Sequence, residues 1–142
     1  MPTLIVSYPF RQKIMTKITG TGGPLDAASL ALGLLLSGIS AGTRTTLADC
    51  EGFEPDNTSF PGYARITPLA WGAQYRDGND NVYRDAGEQT FLASADPPSP
   101  LSIVGAFWTD LTDVVIELFD EPQAITRKDD AVRYIPTFAY GQ

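Results

Sequence analysis

The sequence predicts a mainly β protein: a single β-sandwich or jelly-roll-like domain with an extended N-terminal arm. Three observations lead there. The stretch Leu101 to Phe119, LSIVGAFWTDLTDVVIELF, holds the densest apolar content and alternates at the period of a strand. Eleven Pro and thirteen Gly, with 11% aromatic residues, suit short strands joined by many turns better than a helical bundle. Turn signals recur at roughly 8 to 12 residue spacing, the rhythm of sandwiches and barrels. At 142 residues the chain is one domain by length and can bury about two thirds of its unfolded surface without metal or disulfide. Residues 1–24 read as an arm with a Gly-rich hinge, and residues 25–142 as the β-sandwich body.

The chain opens with Thr3 to Phe10, TLIVSYPF, strand-forming by residue type and ended by Pro9. Such an early strand is either an edge strand or an arm donated to a neighbour. Arg11 to Ile18 alternates basic with apolar residues as a second strand would, and Thr19 to Pro24, TGTGGP, is a break that would serve as a hinge. Leu25 to Ile39 is ambiguous: Leu30, Leu32, Leu34 and Leu36 alternate like a strand, whereas the Ala and Leu content favours a helix. The reading adopted is a helical or extended start passing into a strand near Leu32, ended by Ser37-Gly38. Cys50 to Ser59 reads as an acidic loop, and Tyr63 to Ala73 as strand material in which Pro68 implies an edge or a bulge.

Arg76 to Gly87 is polar and Gly-rich, hence turn; Thr90 to Ala93 is a short strand, and Ala95 to Pro100 a proline linker into the central hairpin. In that hairpin Leu101, Ile103, Gly105 and Phe107 would face one side, and Ser102, Val104, Ala106 and Trp108 the other. After a turn at Thr109 to Asp113, Val114 to Phe119 returns, with Val114, Ile116 and Leu118 opposite in direction to Val115, Glu117 and Phe119. A helix from Asp110 competes, since Leu111, Val114, Val115 and Leu118 also fit helical spacing. The β-branched residues and the following Pro122 favour the hairpin. Val132 to Ala139 is a last strand, broken by Pro136.

Composition removes much familiar chemistry. No His is present and Cys50 is the one cysteine, so a usual zinc site, a Ser-His-Asp triad, a Cys-His pair and an internal disulfide are excluded. No cofactor, metal or catalytic residue is expected. The net charge of −7 is uneven: Arg11, Lys13 and Lys17 are the only charged side chains before Asp26, and the rest carries seven basic against seventeen acidic residues. An acidic body argues against nucleic acid, and a basic leader suits an acidic surface, its own or a neighbour's. Apolar Ala27 to Leu36, behind basic residues and before small ones, outlines a secretory leader. Asp26 abuts that run and the leader would be unusually long, so none is expected; the run also falls short of the roughly 20 residues a membrane span needs.

Several local patterns have a simpler reading beside the functional one. Asp77 to Glu88, DGNDNVYRDAGE, places oxygen side chains at calcium-loop spacing, but Val82 occupies the position where Gly makes the sharp turn, which favours a plain hairpin turn. Asp110, Asp113 and Glu117 cluster as glycosidase carboxylates might, although seventeen acids make such clusters cheap and an exposed acidic turn is the favoured reading. Lys13 and Lys17 lack the buried setting of a nucleophile. Trp71, Trp108, Tyr63 and Phe107 read as core or interface anchors. Acidic neighbours Asp49 and Glu51 would keep the Cys50 thiol protonated and unreactive.

A resemblance adds to this. Thr46-Leu47-Ala48-Asp49, Phe60-Pro61-Gly62-Tyr63-Ala64, Trp71, Phe91 and Val104-Gly105-Ala106-Phe107-Trp108-Thr109-Asp110 resemble a pattern in small virion structural proteins of tailed bacteriophages, over roughly residues 32–138. The resemblance implies a virion component, first of all a capsid decoration (cement) protein that binds the major capsid protein and sister copies, acting as a homo-oligomer such as a trimer and doing no catalysis. A tail, neck or baseplate adaptor is the alternative, and a carbohydrate-binding β-sandwich a third. The residues assigned to partner binding are Leu4, Ile5, Val6, Tyr8 and Phe10 as a pairing arm, with Arg11, Lys13 and Lys17 against acidic surface. No nucleic acid or membrane partner is expected.

Overall fold

The computed structural model describes residues 3–6, 30–67, 69, 75, 76, 78 and 82–140. The protein is mainly β, and every strand pairing is antiparallel. The Leu101 to Phe119 stretch forms the hairpin that its alternation predicts: β6 (Leu101–Thr109) and β7 (Val114–Ile125) are the two inner strands of a four-stranded sheet. Its outer members are β1 (Thr3–Val6), beside β7, and β2 (Ala31–Leu36), beside β6.

Both faces of this sheet are covered. On one lies the larger core, where Leu32, Leu34, Ala106, Trp108 and Val115 meet Phe60, Tyr63, Phe91 and Val132. On the other, Leu35, Phe107, Val114 and Ile116 pack with Cys50 and the half-buried Ile5, Leu47 and Phe53. β2 is buried from Ala31 to Leu35, so its leucines alternate between two cores rather than between core and water.

Two features of the hairpin depart from the sequence reading. Leu101 and Ile103 join Ala106 and Trp108 in the larger core, although simple alternation separates them. The register explains it: Ile103 is opposite Gln123, but Gly105 is opposite Leu118, so an irregularity flips the side-chain parity between the two halves. The same irregularity lets β7 run on through Pro122 to Ile125 instead of ending at Phe119, because a proline is tolerated where the ladder is interrupted.

The remaining strands pair among themselves. β4 (Val82–Asp85) pairs with β9 (Thr137–Tyr140), and β5 (Gln89–Leu92) with β8 (Ala131–Tyr134). These are consecutive stretches of one long ribbon, interrupted where Ala86 to Glu88 passes Ile135-Pro136; the Ala86 N–H still donates to the Pro136 carbonyl at 3.0 Å. The short β3 (Tyr75–Arg76) adds to β4, with Tyr75 opposite Tyr83 and Arg76 opposite Val82. Arg76 to Gly87 is therefore not simply turn. Its Val-Tyr pair, hidden among charged residues, supplies a strand, and a strand from Val82 takes the place of the second half of a calcium loop.

Further corrections concern the middle of the chain. The acidic stretch at Cys50 is preceded by a one-turn helix, α1 (Leu47–Glu51), which the sequence reading missed. Thr46 and Asp49 form a capping box: Thr46 Oγ1 accepts from the Asp49 N–H at 3.2 Å, and Asp49 Oδ2 accepts from the Thr46 N–H at 2.9 Å. Between Tyr63 and Ala73 the described residues show one isolated bridge, Leu32 with Ile66, in place of a strand. The first strand takes one of its two expected forms. Thr3–Val6 is an edge strand on its own chain, with Thr3 opposite Leu118 and Val6 opposite Val115. Arg11 to Ile18, expected as a strand, and Thr19 to Pro24, expected as a hinge, lie outside the described residues.

Candidate functional site

The two edges of the four-stranded sheet are treated differently. Along β2 the chain's own loops take up the free backbone groups. The Leu32 N–H donates to the Ile66 carbonyl at 2.9 Å and the Ile66 N–H returns to Leu32 at 3.0 Å; Leu36 donates to Phe53 at 2.7 Å. Between them the Leu34 N–H donates to the Tyr63 hydroxyl oxygen at 3.0 Å. Tyr63 in turn donates to Glu54 Oε2 at 2.6 Å, and Arg65 grips both oxygens of that carboxylate at 2.8 Å. The Arg65 guanidinium lies 5.3 Å from the centroid of the Phe107 ring. Burial and the bond to Glu54 push the Tyr63 hydroxyl well above its usual range, and the Glu54 bonds raise Arg65 still further. This network seals an edge, and Glu54 is its hub.

Gly33 explains why the network fits. It stands opposite Phe107, and a Cβ there would lie 2.6 Å from the ring and 2.7 Å from Glu54 Oε2. The ring therefore occupies the space that any side chain at position 33 would need.

On the other side, β1 ends the sheet among the described residues. Of the residues assigned to partner binding, Leu4 and Val6 stand in register with Glu117 and Val115, and Ile5 is half-buried against the smaller core. Tyr8, Phe10, Arg11, Lys13 and Lys17 lie outside the described residues.

Of the three carboxylates grouped by sequence, Asp110 and Asp113 stay at the hairpin turn and Glu117 does not. Asp110 builds the hairpin turn, its Oδ1 accepting from the Thr112 and Asp113 N–H groups at 3.0 and 2.9 Å. Glu117 leaves the turn altogether: it is half-buried and accepts the hydroxyl proton of Tyr134 across to the ribbon. Burial raises its carboxyl above the ordinary range, with the Tyr134 bond opposing, while Tyr134 is itself driven up by burial and by that bond. Around this pair opens a groove of about 440 Å³, where the irregular part of β7 meets the break in the ribbon. Glu88, Asp120 and Glu121 line it with the aromatic rings of Phe119 and Tyr134, and Arg133 sits 3.8 Å from Glu88. Sequence reading missed this groove because its walls come from three distant stretches; the glutamate inside the apolar alternation of β7 was the available signal.

Trp108 and Phe107 are fully buried core, as anchors in strands should be; Trp71 lies outside the described residues. Cys50 is buried, and burial, then Asp49 and Glu54, push its thiol up to about 12. It is protonated at neutral pH and a poor nucleophile. The residues that carry the phage-like pattern serve the fold: Phe60 and Tyr63 are core, and Gly62 holds φ +88°, its N–H donating to Asn57 Oδ1 at 2.8 Å.

No family model, no curated protein and no solved structure matches this chain.

Proposed function

We propose that the chain is a non-catalytic structural protein of a tailed-phage virion, a capsid decoration (cement) protein that binds the major capsid protein and sister copies. In this reading the four-stranded sheet and the ribbon are the two layers of one jelly-roll-like sandwich. The observation that carries it is the contrast between the edges. β2 is closed by loops and the Glu54 network, whereas β1 is four residues long and ends the sheet among the described residues. An open strand edge is a template for another chain. Because Thr3–Val6 rests on its own β7, what the sheet offers a neighbour is the outer edge of β1, followed in sequence by the basic Arg11, Lys13 and Lys17. The phage-like residues of the sequence support the same assignment.

A carbohydrate-binding role loses its ring platform at Trp108, which is buried. A tail or neck position differs from the capsid by copy number, hundreds per particle against tens or fewer. Quantitative mass spectrometry of purified particles tests both: absence of the chain from particles overturns the reading, and a low copy number moves it to the tail. Deleting residues 1–24 is expected to leave a folding body that no longer attaches; undiminished attachment overturns the role of that segment.

A further inference from the structure

We draw no further inference here: the strongest candidate, the groove where Glu88, Glu117 and Glu121 meet the rings of Phe119 and Tyr134 beside the break in the ribbon, is an acidic cluster whose inner carboxylate already accepts from Tyr134, and nothing in the structure shows what would fill it.

Discussion

The two faces of the four-stranded sheet differ in thickness. One meets the ribbon and the loops around Phe60 and Tyr63 in a core rich in aromatic rings: Tyr63 stacks on Phe91 at 5.6 Å between centroids, and Trp108 lies 6.3 Å from Tyr134. The other is covered by one turn of helix, nearby loop and the Arg65–Phe107 contact, and much of its lining is only half-buried. The thick face carries most of the apolar burial and hence most of the stability. The thin face is held by particular fits: a capping box, a bare glycine under a ring, and a carboxylate gripped by Arg65.

Substitutions can break or sharpen that contrast. The largest effect belongs to the thick face: Trp108→Ala should destabilise by about 3–5 kcal/mol in urea unfolding, because the deep core cannot collapse onto the vacated space. On the thin face Gly33→Ala pushes a methyl group into the Phe107 ring and should cost about 1–3 kcal/mol. Pairing it with Phe107→Leu should recover part of that loss, and strictly additive effects would show that the ring contact is not the cause. Thr46→Ala removes the cap of α1 and should cost about 1 kcal/mol, with Thr46→Ser near neutral.

The smallest effect is electrostatic. The folded chain holds the Glu117 proton to higher pH than the unfolded chain does. That stabilisation is complete below the ordinary glutamate range and is lost as pH rises through the elevated value. At a half-exposed site solvent screening keeps that contribution small. Glu117→Gln should therefore gain on the parent as pH rises from 4 to 7; a difference that stays flat across that range would contradict the assignment.

Much of this was legible in the residues. The central hairpin announced itself because both of its strands are apolar on two faces, a pattern a helix with a solvent side does not produce. The Ser37-Gly38 stop after β2 and the Pro136 break between β8 and β9 followed from backbone chemistry alone. What escaped has physical reasons. β4 pairs although two of its four residues, Arg84 and Asp85, are charged, since pairing with β9 outweighs weak local propensity. α1 is one turn long, too short for a hydrophobic period, and only the Thr46-x-x-Asp49 cap betrays it. The parity flip in β6 depends on a register shift with β7 that no single strand encodes. The groove beside Glu117 exists only after residues near 88, 117–121 and 133–135 are brought together.

Sealing β2 has a consequence for how copies of this sheet could join. With one flank already occupied by the chain's own loops, β1 is the flank that the described residues leave to a partner strand, and two copies meeting there would occupy each other's. Growth through this sheet then halts at a symmetric pair instead of running on as a fibre.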